Sequence, residues 1–317
     1  MIRMSVPACG PVRHRLDGGR WQFQHGPITV ILDAEGDVGA CEQAHELCWR
    51  RFQTALTELV GELRQLRRPA SELLEHGASA VSGPIAGRML RASLPFARER
   101  FVTPMAAVAG AVAEELIEFF RRPGVHRAYV NNGGDIALHL DAGESYRVGI
   151  WSNLDRHPRA QASAYELDGD FAVGAAMPIR GVATSGWRGR SLSLGIADSV
   201  TVLADDAAAA DVAATLVANA VNCEFEGIIR VPADRLKDDT DLGGLPVTVV
   251  VPSLPPDVAA EALWAGRKEA EYWRERGLLY AAVLLLQGRA ETVLPREADA
   301  AERASLVLRC AHLPEVA

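Results

Sequence analysis

Three strand-like runs in the middle of the chain, His126 to Val130, Ile136 to Leu140 and Tyr146 to Trp151, are separated only by Asn131-Asn132-Gly133-Gly134-Asp135 and by Asp141 to Ser145. A parallel pair needs a crossover of roughly a dozen residues or more, so connections this short predict an antiparallel meander. Helical patterns before and after these hairpins make α+β the expected class.

Elsewhere, Trp21 to Asp33 reads as two strands around His25-Gly26-Pro27, and apolar residues at 44, 47, 48, 52, 55, 56, 59, 60, 63 and 66 predict an amphipathic helix from Cys41 to Arg67, closed by Pro69. A short helix from Ile85 to Ser93 precedes Thr103-Pro104, an N-cap and first-turn proline that open a helix to about Phe120. Its start, Met105 to Ala113, consists almost wholly of small residues, suited to tight helix-on-sheet packing or to a flat ligand lying close. Strands are expected at Ala162 to Leu167, Pro178 to Thr184 and Ser199 to Leu203, then a helix from Ala207 to Asn222 introduced by Asp205-Asp206. Strand Val247 to Val251, helix Pro256 to Arg276, strand Leu278 to Leu286 and a last strand near Leu306 to Leu308 complete the pattern. At roughly 150 residues per domain the length alone suggests two domains. No Gly/Ser linker divides the chain, however, and Gly243-Gly244 reads as a loop within one unit.

Asp and Glu number 41 against 33 Lys and Arg, a formal charge of -8, so the basic footprint of a nucleic-acid-binding protein is missing. Only Lys237 and Lys268 are lysines, neither in a setting for Schiff-base or phosphate chemistry, and no GxxxxGK[ST] string exists. The scattered Cys9, Cys41, Cys48, Cys223 and Cys310 argue against a disulfide framework, and Cys41, His45 and Cys48 read as packing residues. The first residues lack a signal-like apolar core, and Leu278 to Leu286 is too short to span a bilayer. A cytoplasmic protein without membrane contact is expected.

Three stretches can carry chemistry. Asn131-Asn132-Gly133-Gly134-Asp135 is either a hairpin turn or a loop whose glycines let backbone N–H groups approach an anion. Thr184-Ser185-Gly186-Trp187-Arg188-Gly189-Arg190-Ser191-Leu192-Ser193 combines hydroxyls, free N–H groups and Arg forks, the chemistry of phosphate binding, with a flat indole beside them. Asp211, Thr215 and Asn219 fall at i, i+4 and i+8 on an otherwise apolar helix. If that stripe is buried it calls for a hard divalent cation; if it faces solvent it needs none.

In this order, together with Tyr146-Arg147-Val148-Gly149-Ile150 and Val200-Thr201-Val202, these stretches resemble the ApbE-like superfamily, whose characterised members are flavin transferases. His25-Gly26-Pro27, Thr103 to Gly110 and Ser191 to Asp198 are similar to a poorly characterised cytosolic branch. The resemblance implies one α+β domain over residues 1 to 317, with duplicated layers of helix and mainly antiparallel sheet of the T-fold-like kind. It implies a flavin, FAD or FMN, or another nucleotide-like ligand as partner, with magnesium held by Asp211, Thr215 and a carbonyl near Ala109. Asn131, Gly133, Gly134, Asp135, Thr184, Ser185, Gly186, Ser191 and Ser193 would then contact phosphate or ring, and Arg188 or Arg190 would clamp charge.

Two departures separate the chain from the transferases. Gly110 stands where they carry a lysine, and the segment they place between the Thr-Ser-Gly loop and the Val-Thr-Val strand is missing, since Ser193 to Asp198 runs straight into the strand. The resemblance therefore implies ligand binding ahead of transfer. An active FAD-cleaving transferase or phosphodiesterase, and a non-catalytic subunit that docks a partner through the Cys41 to Arg67 helix, are the alternatives. The sequence leaves homo-oligomerisation open.

Overall fold

A computed structural model describes residues 10–75, 80–150 and 169–295. The strands expected at Ala162 to Leu167 and Leu306 to Leu308, and Trp151, Cys9 and Cys310, lie outside the described residues.

The expected meander forms only as far as its first hairpin. Strands β4 (Val125–Asn132), β5 (Asp135–Leu140) and β6 (Ser145–Ile150) follow one another, but β6 leaves the main sheet and pairs with β7 (Gly169–Gly174) as a separate antiparallel ribbon. The next partner of β5 is β8 (Gly181–Ser185) and not β6. The main sheet has nine strands. They are β1 (Val12–Arg15), β2 (Trp21–His25), β3 (Ile28–Gly36), β4, β5, β8 (Gly181–Ser185), β9 (Ser199–Ala204), β12 (Ala281–Leu286) and β13 (Arg289–Val293), in that spatial order. Every adjacent pair is antiparallel. Strands β10 (Ile229–Pro232) and β11 (Pro246–Val250) pair separately, with the short helix α5 (Ala233–Leu236) between them in the chain.

The alternation of side chains sorts the sheet's two faces. On one, Val30, Leu32, Ala128, Val130, Val200, Val202 and Leu284 bury against helices α1 (Val38–Leu66), α2 (Pro84–Ser93), α3 (Val108–Ile117), α4 (Ala207–Ala220) and α6 (Pro256–Glu275). On the other, Leu138, Val182, Leu203 and Val283 pack against Ile150, Phe171 and Val173 of the β6–β7 ribbon. Strand β12 is therefore buried along both faces, which explains its continuous apolar run. Among the described residues no helix is long and apolar enough to cross a membrane.

Helix α1 buries Ala44, Cys48, Phe52, Ala55, Leu59 and Leu66 of its predicted stripe, whereas Val60 stays exposed at its edge. The α3 region differs more from expectation. Thr103 sits at the N-cap position of a short 3-10 turn, Pro104–Ala107, and its hydroxyl donates to the Asp241 carboxylate instead of capping; the α-helix proper begins at Val108. Asp206 does cap α4, accepting the Ala209 N–H at 2.7 Å.

Candidate functional site

The glycine motif is a hairpin turn. Asn131 and Asn132 end β4, Asp135 begins β5, and Gly133 (φ 72°) and Gly134 (φ 119°) between them occupy left-handed backbone that side chains rarely adopt. The Asn131 side-chain oxygen accepts the Gly134 N–H at 2.9 Å and fixes the turn. The Arg190 guanidinium lies directly over Gly133, where an added Cβ would overlap it. The predicted turn and a basic group from the second motif therefore meet at one place.

Asp135 points beneath this turn to the helix face of the sheet, is 8% exposed, and accepts the Thr184 N–H at 3.3 Å. The Thr184 hydroxyl shares a 2.9 Å hydrogen bond with that of Thr201. Across from Asp135, Asp211 of α4 accepts the Gly110 N–H at 2.9 Å. Both carboxyls are driven up from the ordinary value: Asp135 by burial and then by the charge of Asp211, with Arg190 opposing, and Asp211 to about 7 by burial, with the Gly110 and Ala109 amides opposing. Desolvated carboxyls whose charges reach one another resist ionising together unless a cation joins them. Among the described residues no group of three or more His, Cys, Asp or Glu assembles anywhere, so a cation here would draw on two carboxylates plus neutral oxygens.

Helix α3 supplies one such oxygen. The Ala109 carbonyl accepts from the Asn132 side-chain amide at 3.1 Å and, like any carbonyl, retains a second lone pair. Asn132 is 5% exposed and was absent from the expected site, although its place in the glycine motif was a sufficient signal. Thr215 is half-buried one turn along α4 from Asp211. Asn219, a further turn on, is committed elsewhere: its carboxamide oxygen accepts from the Leu194 N–H at 2.9 Å and the Ser193 hydroxyl at 3.3 Å. Ser193 itself is buried and also accepts the Gly195 N–H, so it shapes its loop from inside.

The remaining expected residues spread along that loop. Ser185 ends β8, Gly186 packs against the Asp198 carbonyl, and Ser191 is exposed. Arg188 covers the Trp187 ring at 4.7 Å and faces the Asp198 carboxylate at 3.6 Å, while Arg190 alone reaches the glycine turn. Asp198 is the hub: it accepts the Trp187 indole N–H at 3.3 Å and the Gln287 N–H at 2.5 Å. Nothing in the sequence singled out Gln287, whose partners are distant along the chain.

A helix-covered antiparallel sheet, with buried Asp135 and half-buried Asp211 near a glycine turn and an arginine over that turn, defines an α+β protein with one candidate site. A family model described as AbpE bacteria matches residues 13–292, and the chain belongs to that family, as its ApbE-like motifs implied. A UPF0280 protein of Methanosarcina barkeri is 38% identical over 225 residues, 71% of this chain and 78% of that protein. Another, of Methanothrix thermoacetophila, is 38% identical over 138 residues, 44% of this chain, which here spans only about half of the relative (52%). A solved variant of the flavin transferase ApbE from Vibrio cholerae is similar over 91% of this chain and 98% of its own, with 12% identity and a TM-score of 0.43.

Proposed function

We propose that this chain, as one domain, binds a flavin or another phosphate-bearing cofactor together with magnesium between the Gly133–Gly134 turn, the Thr184 to Ser191 loop and α4. The observation that carries the reading is the convergence on the Gly133–Gly134 turn of Arg190 above it, buried Asp135 at its end, and the Ala109–Gly110 backbone that Asn132 and Asp211 both bind. A divalent cation would remove the repulsion between the carboxylates, and its remaining charge would hold a pyrophosphate. Asp211, Thr215 and the Ala109 carbonyl are its ligands in this reading, with Asp135 at hand beside them. Arg190, which lies over the glycine turn, would meet phosphate oxygens, and Trp187 would stack on a flat ring.

Catalytic transfer has less support. A lysine cannot replace Gly110 on this backbone, because a Cβ there overlaps the Ala207 carbonyl where α3 and α4 touch. The test is calorimetric titration of the full chain with FAD and with FMN, each with and without magnesium. Saturable uptake that requires the metal is expected; no uptake of either would sink the flavin reading. Chromatography of the FAD sample for AMP and FMN separates binding from cleavage.

A further inference from the structure

We propose a second ligand site, for a small organic oxyanion with a flat or apolar body, at the other end of the β8–β9 pair. Thr184 and Ser185 at one end of β8 belong to the site described above. At the opposite end, where Gly181 pairs with Ala204, a cavity of about 880 Å³ opens between α2, the N-terminus of α4 and the end of α6. It shares no residue with the first site, although both use α4: Ala208 and Ala209 wall the cavity, while the Asp211 stripe serves the other site. Its size falls within the range of small-molecule pockets, roughly 300–1,000 Å³.

Which charge it accepts follows from which groups are already paired. Arg88 in the wall is held by Glu114, by Glu115 at 3.0 Å and by Glu118 at 3.4 Å, and Arg51 braces Glu115 at 2.8 Å. Glu114 also accepts the Ala208 N–H, and Asp206 accepts that of Ala209, so these carboxylates are spent on Arg88 and on the helix start. Arg91 and Arg274 remain. Arg91 is exposed at the cavity with no ion pair among the described residues. Arg274 donates Nη1 to the Leu294 carbonyl at 2.8 Å, while its Nε is shielded from water and has no acceptor. That Nε is enclosed by protein, so an anion in the cavity would meet the guanidinium charge of Arg274 and not its Nε. Against these two cations stands Asp205, exposed and weakened by solvent. Phe96, Leu278 and Tyr280 supply the wall for the apolar body.

The test is calorimetric titration of the full chain with phenyl phosphate, benzoate and inorganic phosphate. Saturable binding of phenyl phosphate is expected, about tenfold weaker in Arg91→Gln and in Arg274→Gln and unchanged in Asp211→Asn. Benzoate binding as tightly marks a carboxylate site, and benzoate binding much more weakly marks a phosphate-ester site. No saturable uptake, equal affinity in Arg91→Gln, inorganic phosphate matching phenyl phosphate, or loss in Asp211→Asn would each overturn the proposal. Arg91 is exposed, so its variant folds and keeps the test decisive if Arg274→Gln does not.

Discussion

The Asp211 carboxylate accepts the Gly110 N–H at 2.9 Å, and so does work that no residue of α3's own segment performs. Ala107, at the N-cap of that helix, offers no side-chain acceptor, and Asp211 stands in for one from a neighbouring helix. The charge of the same carboxylate is felt at buried Asp135. One acid thus caps a helix and raises the pKa of a second acid, an arrangement that a cation would relieve.

Replacing Asp211 with Asn separates these duties. The carboxamide oxygen still accepts from Gly110, at a cost of about 1 kcal/mol or less in unfolding free energy, because a neutral acceptor replaces a charged one. Metal affinity rests on charge and should fall at least about tenfold. Wild type should show a magnesium-dependent rise in Tm that Asp211→Asn lacks. A variant with the wild-type metal response would remove Asp211 from the cation site.

The contact at Gly110 has its own consequence. Gly110→Ala places a methyl against the Ala207 carbonyl backbone, where neither helix can yield by a rotamer change, and overpacking of this kind costs about 1–3 kcal/mol. Gly110→Lys should cost more and should confer no flavin transfer. Denaturant unfolding and a transfer assay check both points, and a well-folded, active Gly110→Lys protein would contradict the geometry.

The antiparallel class was legible from connection length alone, α1 from apolar period, α4 from Asp205-Asp206 at its start and α6 from its opening prolines, because each signal is local. The single nine-stranded sheet was not, since the pairing of β5 with β8 and of β9 with β12 joins segments with no sequence mark of their partners. β1, β10 and β13 escaped notice as short strands of four or five residues. At the site, Asp135, Arg190 and Asp211 were named from residue type and resemblance. Asn219 and Ser193 carried the same letters, yet the fold turns them toward one another. The β12–β13 turn gave no warning of Gln287.

Gln287 is the one non-glycine residue with positive φ (47°) among the described residues. Left-handed backbone costs a side chain roughly 1 kcal/mol, which Gln287→Gly would relieve. Its side chain, however, accepts the Leu254 N–H at 2.9 Å and donates to the Pro252 carbonyl at 2.7 Å, two bonds together worth about 2 kcal/mol. The bonds should win, leaving Gln287→Gly about 1 kcal/mol less stable in chemical denaturation. Its N–H to Asp198 is retained, so the Trp187 loop should keep its place. A more stable variant would show that strain, not the side chain, dominates this turn.

Protonation of His45 is expected to weaken the α1 packing in acid. It lies between Trp21 and Phe120, with ring centroids 6.4 and 5.2 Å away, and its Nε2 is buried without a partner. Burial lowers its pKa from 6.5, assisted by Arg15 and opposed by Asp33, the Cys41 backbone and Glu42. A depressed folded value means that the neutral ring's contribution is complete above 6.5 and is lost as pH falls through the lower folded value, because the unfolded chain takes up the proton first. The Tm of the wild type should therefore drop as pH is lowered below 6.5, and His45→Phe, which fills the same aromatic gap without a titrating nitrogen, should drop less steeply. Parallel melting curves for the two proteins across this window would show that other groups set the acid limit.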